Sequence, residues 1–277
     1  LLSENGWEYT TIDLEDNGRA FYFHLNEDST SVVSGFRIYN GYVPDEGGGI
    51  YIEYSSPKII NCKIESCYAG DDAGKGGGFF INTNGGLIIE NTIIENCGHN
   101  TQTDKGGGGY VFEGSLIVRN SIFRNNYMDQ YGGGLYLHYT STPTQIIESS
   151  FQNNGYYDQS SGGNGIYTEY AQLVLNNTSF LNNNGYGSGG AIYLESGGMG
   201  NSYISNCQFI SNGYNDLGGH GGAIFYSGGS DSLFITSSLF KDNIVSNDNG
   251  NGGAIYSSGF ISLVNCEVTN NTAFRYP

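Results

Sequence analysis

The chain has 277 residues, among them 45 glycines and 23 tyrosines, and a formal net charge of −17 at pH 7. Because so acidic a surface repels phosphate backbones and anionic lipid heads, nucleic acids and membrane surfaces are poor partners, whereas cations, neutral glycans and other proteins remain. No apolar run reaches the roughly 18 residues that span a bilayer, so no transmembrane segment is predicted. The chain begins at Leu1 without a recognisable signal peptide, which favours a processed or partial chain.

Residues 1–20 do not match the pattern that follows, and "WEYTTIDLED" within them predicts an N-terminal cap strand or assembly segment. From residue 21 onwards, short apolar and β-branched runs are broken by Gly and Asn, which is typical of short strands. The stretch from "FYFHL" to "SVVSGFRIYNG" at 21–41 predicts a first coil. Residues 21–277 are therefore predicted to form one repeat domain.

A glycine motif then recurs eight times. The copies are "GGGIYI" at 47, "GGGFFI" at 76, "GGGYVF" at 107, "GGGLYL" at 132, "GNGIYT" at 163, "GGAIYL" at 189, "GGAIFY" at 221 and "GGAIYS" at 252. A second motif follows each copy and aligns one apolar column: Ile64, Ile94, Phe123, Phe151, Phe180, Phe209, Phe240 and Val268. Small residues stand two positions before this column (Cys62, Thr92, Ser121, Ser149, Thr178, Cys207, Ser238, Cys266), and Cys67, Cys97 and six Asn stand three positions after it.

A unit of about 29 residues with three short strands cannot bury its apolar face alone, but stacked units can. The sequence therefore predicts an all-β parallel β-solenoid of about nine coils, with strands about 4.8 Å apart. One corner is predicted to be lined by Gly47, Gly76, Gly107, Gly132, Gly163, Gly189, Gly221 and Gly252. A second is predicted to hold Asn61, Asn91, Asn120, Asn177, Asn206 and Asn265 in the left-handed conformation, with their amides bonded between coils.

These motifs resemble known repeats. "GGAI" paired with "FISN" or "FLNN" is similar to the repeats of chlamydial polymorphic outer-membrane proteins. "SVVSGFRIYNGYVPDEGGGIYIEYSSPKIINC" resembles secreted bacterial β-helix proteins of the pectate-lyase-like superfamily. Over about residues 21–271, the resemblance implies a single-stranded right-handed parallel β-helix in an extracellular or cell-surface protein. It does not choose a function, because this fold hosts lyases, glycosidases, adhesins and structural proteins.

Strand alternation predicts an outward strip on the strand after the glycines, seven of whose eight members are aromatic. The strip is Tyr51, Phe80, Val111, Tyr136, Tyr167, Tyr193, Phe225 and Tyr256, and beside it run Glu53, Asn82, Glu113, His138, Glu169, Glu195, Ser227 and Ser258. Three interpretations stay open: the rings stabilise the sheet, contact another subunit, or stack on a carbohydrate. We therefore expect self-association end to end or along this face, with glycans as alternative partners.

Catalytic residues are not assigned from the sequence. Glu169 and Glu195 fall on adjacent coils, at the spacing of a retaining glycosidase pair, but a row of acids at strand ends is usually solvated, which is the more ordinary explanation. The corner loops are rich in Asp and Asn without regular spacing, so no cofactor is predicted and calcium is only an alternative.

Cysteine and sequon positions complete the candidate sites. Cys67 and Cys97 occupy one column on adjacent coils, which predicts either a disulfide or two buried thiols. Asn176, Asn177 and Asn270 head N-x-S/T triplets, which matter only if the source glycosylates such sites.

The function predicted from the sequence is a structural or adhesive solenoid, a subunit or segment of a surface fibre that assembles end to end. The eighth motif finishes at Asn271 without a recognisable cap, so either further chain or another subunit is expected to cover that end. The alternative is a polysaccharide-binding or polysaccharide-degrading protein.

Overall fold

The computed structural model describes residues 1–70, 74–98, 103–155, 162–185, 187–214, 219–246 and 250–274. In these ranges the chain is an all-β parallel solenoid without helix, of about 8 turns with roughly 29 residues each. The predicted fold class is confirmed.

Short strands follow one another along the chain. The first half contains β1 (Thr11–Asp13), β2 (Phe21–Phe23), β3 (Val32–Ser34), β4 (Arg37–Tyr39), β5 (Tyr42–Val43), β6 (Ile50–Ile52), β7 (Lys58–Ile60), β8 (Lys63–Glu65), β9 (Tyr68–Ala69), β10 (Gly74–Lys75), β11 (Phe79–Ile81), β12 (Gly86–Glu90), β13 (Ile93–Glu95), β14 (Thr103–Lys105), β15 (Gly109–Phe112), β16 (Ser115–Arg119) and β17 (Ile122–Arg124). The second half contains β18 (Leu135–His138), β19 (Thr144–Ile147), β20 (Ser150–Gln152), β21 (Ile166–Glu169), β22 (Leu173–Asn176), β23 (Ser179–Leu181), β24 (Ile192–Glu195), β25 (Ser202–Ser205), β26 (Gln208–Ile210), β27 (Gly213–Tyr214), β28 (Ile224–Ser227), β29 (Ser232–Thr236), β30 (Leu239–Lys241), β31 (Ile244–Ser246), β32 (Ile255–Ser257), β33 (Phe260–Val264), β34 (Glu267–Thr269) and β35 (Thr272–Phe274).

Three long sheets run along the solenoid. Sheet 1 follows the glycine motif and has nine strands, in the order β2-β6-β11-β15-β18-β21-β24-β28-β32. Sheet 2 has nine strands, in the order β3-β7-β12-β16-β19-β22-β25-β29-β33, and sheet 3 has ten, in the order β1-β4-β8-β13-β17-β20-β23-β26-β30-β34. The remaining strands pair at the corner between sheets 3 and 1, as β5-β9, β10-β14 and β27-β31-β35. Nine strands separated by eight turns agree with the nine predicted coils.

The N-terminal segment lies over the first coil. β1 pairs in parallel with β4, which puts Ile12 beside Ile38 at the head of the apolar column of sheet 3. Leu2 forms a parallel bridge with Ser34, and the amino group of Leu1 donates to the carbonyl of Val32 over 2.6 Å. Residues of the predicted cap therefore supply strand hydrogen bonds to the coil below them.

The apolar column of sheet 3 lies in register along the core. Phe123, Phe151, Phe180, Phe209 and Phe240 are fully buried, and their ring centroids follow at 4.8, 5.1, 5.0 and 4.7 Å. Neighbouring rings lie within 10° of parallel. Residues at equivalent positions of successive repeats are thus spatial neighbours, as predicted.

A buried asparagine ladder runs beside the phenylalanines. Its members are Asn126, Asn154, Asn183, Asn212, Asn243 and Asn271. The backbone and side-chain N–H groups of Asn183 both donate to Oδ1 of Asn212 over 3.0 Å, and its side chain also donates to the carbonyl of Phe151 over 2.9 Å. Each amide thereby satisfies backbone groups that the tight corner leaves unpaired.

The predicted asparagine corner is confirmed in its backbone but not in its amide bonding. Asn61, Asn91, Asn120, Asn177, Asn206 and Asn265 all have φ between 47° and 55°. Asn177 and Asn206 are nevertheless exposed, and the hydrogen-bonded amide stack of the described residues is the buried column that begins at Asn126. Asn is favoured in the first column because it tolerates a left-handed backbone. It is favoured in the second column because its amide pairs with buried backbone groups that would otherwise lack a hydrogen-bond partner.

The glycine corner also forms, with one correction. Gly47, Gly76, Gly132, Gly163, Gly189, Gly221 and Gly252 have φ between 61° and 71°, as a tight turn requires. In the third copy, however, Gly106 at φ 65° takes this position, and the prediction of Gly107 is wrong. The four consecutive glycines at 106–109 allowed two alignments, and the structure adopts the earlier one.

Candidate functional site

The outward rings of sheet 1 form a continuous aromatic ladder. Register pairs place Tyr22, Tyr51, Phe80, Tyr110, Tyr136, Tyr167, Tyr193, Phe225 and Tyr256 in one row. From Phe80 onwards the rings stack nearly parallel, with centroids at 5.2, 4.8, 5.2 and 4.4 Å as far as Tyr193. The ladder is thus more regular than the sequence indicated.

The prediction that Val111 belongs to this strip is wrong. Val111 pairs with Ile81 and is buried in the core, while Tyr110 pairs with Phe80 and Tyr136 and takes the outward position. The same shift removes Glu113 from the predicted polar row and puts Phe112 beside His138. The cause is the glycine alignment of this coil, which moves every following side chain by one residue.

The prediction of an exposed strip is also wrong for its central members. Phe80, Tyr110, Tyr136 and Tyr167 are only 2%, 4%, 1% and 8% exposed, and form a second apolar cluster outside the core. Tyr131 packs on Tyr136 and Tyr167, and the ammonium of Lys105 lies 5.5 Å from the Tyr131 and Tyr136 ring centroids. Corner segments thus cover the rings, and Tyr51, Tyr193, Phe225 and Tyr256 stay partly exposed.

Hydroxyls of the ladder bond to the polar row of the next coil. Tyr136 donates to Oε2 of Glu169 over 2.5 Å, and the Tyr110 hydroxyl lies 3.1 Å from Nδ1 of His138. Burial and the bond to Glu169 raise the pKa of Tyr136, so its hydroxyl remains a proton donor at neutral pH. The ladder and the polar row therefore form one connected network.

A second, more exposed pair of rings lies beyond the ends of β18 and β21. Tyr139 and Tyr170 have left-handed backbones, with φ 50° and 54°, and their rings stack at 4.6 Å and 12°. Tyr139 is 43% exposed, and the Tyr170 ring packs against Gly197, where a Cβ would overlap it. The left-handed turn swings both rings away from the sheet, so they meet solvent rather than the core.

Acidic and histidine side chains lie directly beside these rings. Glu169 and Glu195 are in-register partners on β21 and β24, and Nε2 of His138 lies 3.8 Å from Oε2 of Glu169. Burial, together with the Glu169 carboxylate, raises the pKa of Glu195. Burial lowers the pKa of His138 against the opposing influence of Glu169. We call His138, Tyr139, Glu169, Tyr170 and Glu195 the tyrosine–acid patch.

The patch offers two kinds of contact to a ligand. The stacked rings present apolar faces that can pack on the C–H face of a sugar or on another apolar surface. The carboxylates accept hydrogen bonds from hydroxyl groups, and they attract cations. Its sequence signal is a His or Glu followed by Tyr after the strand, in "LHY" and "TEY" at 137–139 and 168–170, which strand alternation alone does not predict.

Cys67 and Cys97 are free, fully buried thiols, so the disulfide alternative is not formed in this structure. Burial, together with a bond to Cys67, raises the pKa of Cys97 well above its usual value. The backbone N–H of Cys97 donates to Oδ1 of Asn126 over 3.1 Å, so the thiols continue the asparagine ladder towards the N-terminus.

The three sequons occupy different environments. Asn176 lies in β22 and donates to the Ser205 hydroxyl over 2.9 Å, whereas Asn177 and Asn270 are exposed corner residues with left-handed backbones. Glycosylation at Asn176, Asn177 and Asn270 stays a prediction.

Among the described residues, no group of three or more His, Cys, Asp or Glu could hold a metal ion. Much of the Asp-rich loop sequence behind the calcium alternative lies outside the described residues, including Asp71, Asp72, Asp158, Asp216 and Asp248.

Comparison with known proteins identifies the fold family. Residues 4–163 match the model described as "Right handed beta helix region", which covers more than half of the chain. The chain therefore belongs to the right-handed β-helix family, and the predicted hand is confirmed. Comparisons with curated proteins and with solved structures found no match. The narrower resemblance to polymorphic outer-membrane proteins is not shown by these comparisons. In the described part of the chain, no helix has the length and hydrophobicity to cross a membrane.

Proposed function

We propose that this protein is a structural and adhesive β-solenoid, outside the cell or on its surface, that binds glycans through the tyrosine–acid patch. The observation that carries the proposal is the stack of exposed Tyr139 on half-buried Tyr170 at 4.6 Å beside the Glu169 carboxylate. A sugar ring has an apolar face for such a ring pair and hydroxyl groups for such a carboxylate.

The core supports the adhesive part of the proposal. Ladders of Phe and Asn run from coil to coil through the solenoid, and the stacked, buried rings of Tyr136 and Tyr167 lie on the strands that carry His138 and Glu169. A binding site works best when rigid elements hold its side chains. The likeness of "GGAI" and "FISN" to repeats of bacterial surface proteins supports the same location.

A fibre that assembles end to end is part of this proposal. Negative-stain microscopy tests assembly directly: filaments several solenoids long support it, and dispersed single particles at high concentration contradict it.

The adhesive role is tested by a glycan array combined with a reducing-end assay on every glycan that binds. We expect binding without cleavage. An array on which the folded protein retains no glycan would contradict the adhesive proposal and leave a purely structural role.

The second candidate is a polysaccharide-degrading enzyme, favoured by the raised pKa of Glu195 beside Glu169. In a retaining glycosidase, one protonated and one ionised carboxyl lie about 5–5.5 Å apart. New reducing ends that disappear in both Glu169→Gln and Glu195→Gln, but persist in Glu53→Gln on a distant coil, would support this candidate. Cleavage that survives both changes would exclude the pair.

A further inference from the structure

One exposed tyrosine stacks nearly parallel on a second tyrosine. The exposed tyrosines among the described residues are Tyr9, Tyr22, Tyr54, Tyr127, Tyr139 and Tyr203. Tyr22 meets Tyr51 edge-on at 85°, and Tyr203 stacks on a phenylalanine. Of these six, only Tyr139 has a tyrosine, Tyr170, stacked on it within the described ranges, at 4.6 Å and 12°. This pair is therefore the stacked tyrosine couple that a reagent in solution reaches most directly.

The backbone gives the two rings the same orientation. Tyr139 and Tyr170 follow strands that pair in register, and the N–H of Tyr139 donates to the carbonyl of Glu169 over 3.0 Å. Their φ angles of 50° and 54° are nearly equal, so both side chains leave the backbone in the same direction. Desolvation, together with the nearby Tyr170 hydroxyl, raises the pKa of Tyr139. The ring carbons ortho to the two hydroxyls therefore face each other.

Facing ortho carbons are the atoms that bond in dityrosine. An oxidant removes one electron and one proton from each phenol, which leaves two phenoxyl radicals with unpaired electron density on their ortho carbons. The radicals form one C–C bond, and each bonded carbon then loses its hydrogen as a proton while each oxygen regains one. In total, one molecule of hydrogen peroxide accepts two electrons and two protons and becomes two molecules of water.

The buried ladder of sheet 1 is a poorer site for this reaction, although its rings also stack. Tyr167 and Tyr193 lie 4.4 Å apart at 8°, but Tyr136 and Phe225 pack on the two outer sides of this pair. Coupling requires the rings to tilt towards each other, because a C–C bond is much shorter than the stacking distance. Tyr139 is 43% exposed and has room for this movement.

We propose that Tyr139 and Tyr170 form an oxidative crosslinking site, which a haem peroxidase with hydrogen peroxide converts to dityrosine. The new bond joins two adjacent coils. A covalent link between distant positions of a chain restricts the unfolded state more than the folded state, so the link stabilises the solenoid. The reaction uses the rings themselves and does not depend on glycan binding.

Peptide mapping after oxidation tests this proposal. Dilute wild-type protein is treated with a haem peroxidase and hydrogen peroxide under conditions that convert free tyrosine to dityrosine, and the monomer is isolated by size-exclusion chromatography. A protease that cuts after Glu puts Tyr139 in peptide 114–148 and Tyr170 in peptide 170–195. We expect these two peptides to be joined with the loss of two hydrogen atoms, and to show dityrosine fluorescence.

Phenylalanine variants separate this site from general tyrosine oxidation. Tyr139→Phe and Tyr170→Phe keep an aromatic ring but cannot form a phenoxyl radical there, so each should lose the joined peptides while circular dichroism shows the fold retained. Tyr54→Phe, a matched change at a ring that is 55% exposed, should keep them. The oxidised wild type should also unfold several degrees above oxidised Tyr139→Phe.

Three results would overturn the proposal. The first is a wild-type protein that forms no dityrosine, or joins other peptides only. The second is a link between peptides 114–148 and 170–195 that persists in both phenylalanine variants. The third is a linked protein that unfolds at the same temperature as Tyr139→Phe, which contradicts the stabilising role. A failure of glycan binding on the array changes none of these measurements.

Discussion

The asparagine ladder shows how one side chain can replace the hydrogen bonds that a tight corner breaks. Asn183 is completely buried and accepts from the backbone and side-chain N–H groups of Asn154 while it donates to Asn212 and Phe151. A buried polar group without a partner costs about 1–3 kcal/mol, so the column tolerates few replacements. Cysteine, with a weaker donor, occupies it at Cys67 and Cys97.

Asn183→Ala should therefore lower the free energy of unfolding by about 2–5 kcal/mol, because the N–H of Asn154 and the carbonyl of Phe151 lose their partners together. Denaturant unfolding followed by circular dichroism measures this loss. Asn182→Ser is the matched control, since Asn182 is exposed and Ser211 occupies the same left-handed position one coil later. Equal stability of the two variants would contradict the structural role of the ladder.

Glu195 makes stability depend on pH. A carboxyl whose folded-state pKa is raised contributes stability below its unfolded-state pKa, about 4.3, and this contribution is lost as pH rises through the folded-state pKa. Glu195→Gln should thus be more stable than the wild type at pH 7, by about 0.2–1 kcal/mol, the size of a cross-strand like-charge effect. The difference should vanish near pH 3.

Thermal unfolding across this pH range measures the effect of Glu195→Gln. Glu267→Gln, an exposed carboxylate on sheet 3, is the control and should change little. A Glu195→Gln protein that is less stable than the wild type at pH 7 would show that the charged carboxylate is stabilised by its surroundings.

At the scale of the element, the strand in the fourth coil shows where sequence reasoning succeeds and where it fails. The inward and outward columns of most coils follow from alternation, because each strand has one apolar face in the core. In β15 the inward position after the turn is Gly109, which pairs with Phe79 and Leu135. A Cβ on Gly109 would overlap the ring of Phe79. The Phe79 ring therefore occupies the space that a side chain at position 109 of the next coil would need.

Gly109→Ala should consequently destabilise the protein by about 1–3 kcal/mol through overpacking. Phe79→Ile in the same chain should recover much of that loss, because Ile50 occupies the corresponding position one coil earlier. A double-mutant cycle on unfolding free energies measures the coupling. Additive effects of the two changes would contradict the packing of Phe79 against Gly109.

The candidate site could be predicted only in part, because strand alternation fixes the register but not the contacts between corner segments and sheets. Alternation places the aromatic ladder and the Glu169–Glu195 pair on the correct face, since both depend on register alone. It cannot show that Tyr131 and Lys105 cover the ladder, because this contact joins a corner segment to rings on other coils. It also missed Tyr139 and Tyr170, whose left-handed turns depart from strand geometry.

The whole molecule is a rod whose three faces differ in chemistry. Sheet 1 carries covered rings with the tyrosine–acid patch at its margin, sheet 2 carries one mainly apolar outward column, and sheet 3 carries an ion-pair row in which Lys63 joins Glu65 and Glu95 at 2.8 and 2.7 Å. Because each coil contacts mainly its neighbours, a change on one face leaves the others in place. Adhesion through the patch can therefore be tested with changes that leave the other two faces in place.

The most direct measurement is a calorimetric titration of a glycan selected on the array against the wild type, the Tyr139→Asn/Tyr170→Asn double variant and Tyr54→Asn. Asn suits the left-handed backbone here, because its short polar side chain tolerates this conformation, as Asn84 does at φ 58°. We expect at least a tenfold loss of affinity in the double variant, about 1.4 kcal/mol, and wild-type affinity in Tyr54→Asn. Equal affinity of all three proteins would contradict the account.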